Sequence, residues 1–515
     1  MTRGAIVDFA PVAGERLSEE RAASRTAIVI GGGFGGLSAA VHLRLAGWHV
    51  RLFESNAAVG GRASLLEHHG FSFDTGPSLL NYPWVFDDLF GAAGRRLQDY
   101  VRLLPVDPSV TFQWPDGLRL SLSSDLRRLL AELERVEPGV RPAALAYLRD
   151  AAEKYRLAFG GLVTGNDSRY SAWLRRVGLR NLPRLSLWRS MDAELRRYFP
   201  DGRIAEALGS YGMYLGGSPY DLPGFFAMLP YGELSCGLWL PEGGIYALIR
   251  AIERLAREVG VEIQTAQPVR QILAERGRAA GVQLASGERV PARVVVSNVD
   301  VPTTDATLLP EGVPPAPPPR MTPGVMTFYW GVRGAVDHVG HHTIFLPSDV
   351  RATYDDLLRR GRIPRDLAFY LSVPSATDPS LAPRGSSTVF VLVPTPRLSQ
   401  MPGADWRAIA GTVRAAVFGR LRAEGVPLTP DRLLFEECWT PLEWKARFGL
   451  HDGSAFGAVH SLRQLGPWRA ANYHPRLDGL FYTGASTTPG TGMPMVVLSG
   501  RMTAARVLER CGVPA

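Results

Sequence analysis

The 515-residue chain has only three cysteines, Cys236, Cys438 and Cys511, odd in number and far apart. That excludes a disulfide framework and a CxxC zinc site, and points to a reducing, cytoplasmic compartment. Lysine is scarcer still: Lys154 and Lys445 are the only two, and every other basic residue is arginine. No uninterrupted apolar run reaches the roughly 18 residues that a membrane-spanning helix needs. Residues 1–25 lack the apolar core of a secretory signal and read as a frayed extension. Serine–histidine–aspartate and paired-carboxylate signatures are missing as well, which leaves the catalytic residues unassigned. What is present is ordinary for a globular chain: 46% hydrophobic, 21% charged and a formal net charge of +8.

Order is expected from Thr26. Thr26–Ile30 is a short β-branched strand, followed at once by Gly31-Gly-Gly-Phe-Gly-Gly36. A helix is expected over Leu37 to Ala46, ending at Gly47, and then a strand over Trp48 to Glu54. Strand, glycine turn, helix and strand make a βαβ unit. Short strands with a turn at Pro115-Asp-Gly117 fill 101–123. Ser124 is the expected cap of a helix whose Leu126, Leu129, Leu130 and Leu133 share a face. The chain then reads mostly helical to Ser235. A second α/β block runs from a helix over Ala247–Val259 through Val261–Ile263 and a hairpin at Ser286-Gly287 to the buried strand Val294–Val296. Seven prolines between Pro310 and Pro323 mark an exposed connector. Alternating segments such as Met326–Val332 and Thr388–Val393 suggest an antiparallel sheet.

Gly31, Gly33 and Gly36 fit G-x-G-x-x-G. The first permits a tight turn, the second lets backbone approach a pyrophosphate, and the third allows close helix–strand packing. Glu54 stands 23 residues after Gly31, at the end of the second strand, where a carboxylate accepts the hydroxyls of an adenosine ribose and disfavours a 2′-phosphate. Val59-Gly-Gly-Arg62 follows, then Gly70-Phe-Ser-Phe-Asp-Thr-Gly-Pro77. Gly60 and Gly61 would let the chain pass the pyrophosphate, and Arg62 would bring it a fixed cation. Gly76, Pro77, Ser78 and Leu79 would present backbone near a flavin ring.

With these residues the sequence resembles the FAD-dependent amine oxidase and desaturase superfamily. The stretch Asp478-Gly-Leu-Phe-Tyr-Thr-Gly-Ala-Ser-Thr-Thr-Pro-Gly-Thr-Gly-Met-Pro494 narrows the likeness to the bacterial carotenoid (phytoene) desaturases. Pro241-Glu-Gly-Gly244, Val294-Val-Val-Ser-Asn298, Asp378-Pro-Ser-Leu-Ala-Pro383 and Val391-Leu-Val-Pro394 match as well. The resemblance implies FAD and an α/β fold: a Rossmann-like FAD-binding domain interleaved with an antiparallel-sheet substrate domain, and a helical membrane-facing region. Carried over, it divides the chain into 26–100 with 237–300 and 462–515 for FAD, 101–123 with 301–461 for substrate, and 124–236 as helical lid. It also implies that Val269 meets the adenine through its backbone, and that Gly484 and the Met493–Met495 loop contact the flavin and pyrophosphate end. Thr488 stands where the family usually has histidine, which leaves the exact substrate open.

The implied reaction removes two hydrogens from a CH2–CH2 unit beside a polyene, one as hydride to flavin. The resulting delocalised cation sheds its second proton readily, so a weak base suffices, and the site's task is to exclude water and align one bond. Asp221, Tyr231, Glu233 and Glu242 are read as structural, and the His341-His342 pair as loop or strand residues without metal. Phytoene is the first candidate substrate. Later-pathway rivals are a carotenoid 3,4-desaturase and a terminal-methyl oxidase, and a silent FAD-binding membrane scaffold is a distant one. Residues 169–203 hold nine arginines against three acids, interspersed with Trp173, Leu174, Leu182, Leu185 and Trp188. That composition suits a segment lying on the cytoplasmic face of a membrane, and no nucleic-acid motif accompanies the charge.

Overall fold

The computed structural model describes residues 25–165 and 170–512. The expected N-terminal extension up to residue 24, and Arg169 at the start of the basic stretch, lie outside the described residues.

Strand β1 (Thr26–Ile30), helix α1 (Phe34–Leu45) and strand β2 (His49–Phe53) form the anticipated βαβ unit. The helix starts three residues before the expected Leu37, because the glycine turn is itself its first turn. All of β1 except its first residue is buried, as a strand covered on both faces must be. The sheet is five-stranded and wholly parallel. From one edge to the other it runs Leu480–Tyr482, Val294–Ser297, β1, β2 and Glu262–Gln264. Helix Met493–Arg510 closes on α1: Ser38 Oγ donates to the Val497 carbonyl at 2.7 Å. A Cβ on Gly500 would stand 2.6 Å from the Gly35 carbonyl oxygen, so the two helices touch backbone to backbone.

The second large sheet has seven strands. It runs Leu433–Trp439, Gly324–Arg333, Ser386–Thr395, Phe369–Ser372, His342–Phe345, Val110–Gln113 and Arg119–Leu122. The expectation of a purely antiparallel sheet needs correction at one joint, where Thr111–Gln113 lies parallel to Thr343–Phe345. No hairpin dictates that pairing, because the chain leaves the sheet after Leu122 and returns only after a long helical excursion. One face carries Met326, Phe328, Trp330, Phe345, Leu371, Val391 and Val393, and packs on helix Trp406–Ala423. The opposite face is turned toward the parallel sheet. Within 101–123 the strands divide, for Leu103–Val106 pairs with Leu238–Pro241 instead of joining the large sheet.

Helix Leu126–Val136 is capped by Asp125 and not by Ser124: its carboxylate accepts from the N–H groups of Arg127 (2.8 Å) and Arg128 (3.1 Å). An ionised side chain serves two orphan donors at once, and the shift leaves Leu126 exposed while Leu129 and Leu133 are buried. Deeper in the helical region sits Lys154, 1% exposed, which donates to Glu194 at 2.8 Å and also binds Asp150, joining helices Arg141–Leu157 and Met191–Leu195.

Three of the sequence motifs meet at one joint. Asp74 accepts from the N–H groups of Ile245 (2.6 Å) and Tyr246 (2.8 Å), and Asp378 from Gly243 (2.7 Å). Two acids from distant segments thus hold the N-terminus of helix Ile245–Glu258, where they complement its dipole. Burial nevertheless raises Asp74 to about 6.

Candidate functional site

One cavity of about 630 Å³ runs from the glycine turn to the second sheet, within the size range of small-molecule and cofactor sites. Its first end is built from backbone. Gly31 adopts φ +92°, and a Cβ on Gly36 would lie 2.0 Å from the Gly31 carbonyl oxygen, so no larger residue fits either position without moving the turn. Gly31 and Gly33 line the cavity, whereas Gly36 is pressed against the turn. Glu54 closes the same end. Its Oε2 accepts from the Gly32 N–H at 2.7 Å, and its Oε1 accepts from Ser55 Oγ and from both Asn56 nitrogens. One lone-pair position on Oε2 remains for a further donor. Val269 lines the cavity nearby, where the Gln267 N–H donates to the Glu54 carbonyl at 2.9 Å.

Arg62 lines the cavity with Gly61, Gly76, Pro77, Ser78 and Leu79, and Gly76 is packed so closely that a Cβ there would lie 2.3 Å from the Arg62 carbonyl oxygen. Its Nη1 donates to the Ala455 carbonyl at 2.6 Å. Burial pulls the guanidinium below the usual arginine range, and only the Asp300 carboxylate acts against that. A desolvated cation beside a cavity favours an anionic occupant.

Thr483, Ala485 and Ser486 supply the wall around Gly484, whose N–H donates to Ser499 Oγ at 3.1 Å. Gly484 itself stands behind that wall. Met493 lines the cavity but Met495 does not. Two residues on, Met495 turns away from that face and packs on the core around α1, while Val496, three residues on, takes its place. Thr488 also stands off the cavity, its hydroxyl 3.5 Å from the Ala470 carbonyl. An imidazole does approach this loop from elsewhere: His460 Nε2 accepts from the Thr491 N–H at 3.3 Å.

The second end is made of side chains. Val325, Ile344, Tyr370, Leu392 and Pro394 come from four strands of the seven-stranded sheet. Leu346, Val350, Tyr354 and Leu357 extend the apolar wall. Asp221, Tyr231, Glu233 and Glu242 are all absent from the lining. Glu233 is buried, accepts from the Tyr211 hydroxyl at 2.8 Å and is raised by burial to about 7. Asp221 pairs with Arg359 at the surface.

Several lining or supporting residues stand outside the site residues read from the sequence. Asn298, at the end of the Val294–Asn298 motif, reaches the Gly31 carbonyl through Nδ2 at 3.4 Å. Arg469 donates to the carbonyls of Ala485 and Thr487 and so shapes the wall around Gly484. Trp444 and Phe448 close one side from a helix that no motif marked.

The flavin-containing amine oxidoreductase family matches residues 34–508. The chain belongs to this family. It is an FAD-dependent oxidoreductase, and its relatives place it in the carotenoid-desaturase branch. It is 38% identical over 488 residues to a zeta-carotene-forming phytoene desaturase of Myxococcus xanthus, covering 94% of each chain. It is 34% identical to a 4,4'-diapolycopene oxygenase of Methylomonas sp, covering 92% of this chain and 96% of that one. An oxidoreductase structure from Methanosarcina mazei superposes with a TM-score of 0.64, covering 94% and 100% of the two chains. At 18% identity that likeness speaks for the mixed α/β fold alone.

The residues present fit FAD. Gly31 and Gly36 leave no room for larger residues, the α1 N-terminus opens onto the cavity, and the desolvated Arg62 guanidinium lines it where a pyrophosphate would be neutralised.

Proposed function

We propose that this oxidoreductase desaturates an acyclic carotenoid of the phytoene type, taking two hydrogens from a CH2–CH2 unit. The observation that carries the reading is the continuity of the cavity, which joins a dinucleotide cradle to a long apolar wall without an intervening partition. In this reading Gly31, Gly33 and the α1 N-terminus hold the pyrophosphate with Arg62, and Glu54 takes the ribose hydroxyls. Val269 lies along the adenine. Gly61 and the Gly76–Leu79 segment border the ring, with the Gly484 wall and Met493 on the other side. Bound FAD supplies a two-electron acceptor for hydride.

The chain's own residues supply position and dryness. Ile344, Leu392 and Leu346 hold a hydrocarbon by burial and exclude water that would trap a carbocation. The likeness to the Methylomonas oxygenase favours oxidation of a terminal methyl group as the second reading. Expression in a phytoene-accumulating host separates the two. A progressive red-shift of extracted pigment is the expected result, and an unchanged phytoene pool overturns the first reading.

We infer a docking face for lipid in the helical region as well. Of the aromatic and aliphatic residues expected there, Trp173 and Leu185 are buried in the core, and Leu174 and Leu182 pack on it. The membrane-facing set is therefore smaller than the sequence implied. Trp188 is 76% and Leu179 68% exposed, with Arg175, Arg180 and Arg189 exposed beside them. Arginine and tryptophan together suit a lipid surface. Among the described residues no helix is long and apolar enough to cross a membrane.

A further inference from the structure

We propose that Tyr370, acting through His342, accepts the proton that leaves carbon during desaturation in this cavity. The inference rests on the desaturase reading above and adds the base that reading lacks. Tyr370 and Ser78 are the two hydroxyl groups that join the apolar wall to the Gly76–Leu79 segment, and both line the cavity. Their oxygens lie 2.8 Å apart, and the Tyr370 hydroxyl lies 2.6 Å from His342 Nδ1. The sheet builds this chain of bonds. His342 pairs with Ser372 and Ile344 with Tyr370, so the imidazole and the phenol are diagonal neighbours on one face. His342 is 1% exposed, and its Nε2 has no partner.

The step balances as follows. The C–H bond beside the hydride-donating carbon breaks, and its electron pair becomes the second bond of the new C=C. The proton passes to Tyr370 Oη as the phenolic proton passes to His342 Nδ1. The hydride would go to FAD held by the Gly31–Gly36 turn and Arg62, the family's cofactor, which would supply the two-electron oxidant. Burial and the neighbouring His341 pull His342 well below its ordinary value, so near neutral pH the imidazole is uncharged and has a lone pair to accept with. Weak basicity is no obstacle, because a polyene-stabilised cation is a strong carbon acid. A side chamber of about 20 Å³, lined by Ser78, Asp74, His341 and Ser372, has room for one water at the Ser78 end of this chain of bonds. The other titratable groups facing Tyr370 are Glu233, Asp74 and Tyr214.

The test is Y370F, with H342Q as the second variant. Both are expected to retain wild-type FAD content and KM for carotenoid in liposomes, while kcat falls about a hundredfold. A merely structural role would move FAD content or KM first. A second readout needs no turnover: histidine-ring nitrogen NMR of the apoprotein should show the His342 Nδ1 acceptor signal, lost in H342Q and shifted in Y370F. Wild-type turnover with both variants within twofold of it overturns the relay alone, as does an apoprotein spectrum that Y370F leaves unchanged. Wild-type protein that binds FAD and leaves every carotenoid unaltered overturns the desaturase reading, and the relay with it.

Discussion

The two ends of the cavity are made in different ways. At the dinucleotide end the working surface is backbone: a φ of +92° at Gly31, a turn that leaves no room for a Cβ on Gly36, and the first turn of a helix. At the hydrocarbon end it is side chain, contributed one or two residues at a time by four successive strands of the second sheet. The first kind of surface is specified by glycines at fixed spacing and tolerates almost no substitution. The second is specified by the pleat of a sheet, and any apolar residue of similar volume serves.

The contrast can be broken most severely at Glu54. Glu54→Arg places a cation where a ribose hydroxyl should donate, and FAD affinity is expected to fall by about a thousandfold, or about 4 kcal/mol. A folded protein by circular dichroism that has lost its yellow colour is the expected result, and full colour would refute the placement. Lys154→Met probes the scaffold behind both ends. It leaves Glu194, 1% exposed, with only the half-exposed Arg197 guanidinium at 3.0 Å, for a loss of about 2–3 kcal/mol in urea unfolding while FAD binding stays unchanged. Leu392→Asp breaks the opposite end. Carotenoid turnover is expected to drop more than about tenfold with FAD content retained, since a charge must be desolvated to bind substrate.

Acid separates the two halves more finely. His42 in α1 and His341, just before strand His342–Phe345, are each lowered by burial to about 4 from 6.5, and His342 falls well below 6.5. In the unfolded chain each takes up a proton near pH 6.5 that the folded protein refuses. The stability they allow is therefore complete above pH 6.5 and lost as pH falls toward 4, by up to about 3 kcal/mol for His42 or His341. Two adjacent histidines at the start of one strand against one in α1 predict that hydrogen exchange at pH 5 quickens first in strand His342–Phe345. Equal protection in both halves would count against this. The smallest effect is expected at the surface: Leu179→Ala with Trp188→Ala should lower binding to anionic vesicles about fivefold and leave turnover of detergent-dispersed substrate intact.

The same division explains what could be read from the residues. The crossover and the placement of Gly31, Gly33, Glu54 and Arg62 around one space followed from local spacing, because a glycine turn and a strand-end acid carry their geometry with them, whereas Val269 came from the family resemblance alone. Met495 and Gly484 lie off the cavity because helical rotation and a folded-back loop decide facing, and neither shows in a linear motif. Trp173 and Leu185 looked like lipid-facing residues until packing drew them inward. Tyr370 could not be picked out at all. Its significance depends on a diagonal pairing with His342, which exists only once two strands have met.

The parallel sheet also has a consequence for synthesis. Its edge strand Leu480–Tyr482 and the helix that seats against α1 emerge from the ribosome about 450 residues after β1. Until then the nascent chain carries a half-covered apolar helix and a prosthetic-group pocket missing one wall. Such long-range closure is slow and leaves that apolar surface uncovered meanwhile, so the pocket gains its last wall only when nearly the whole chain has been made.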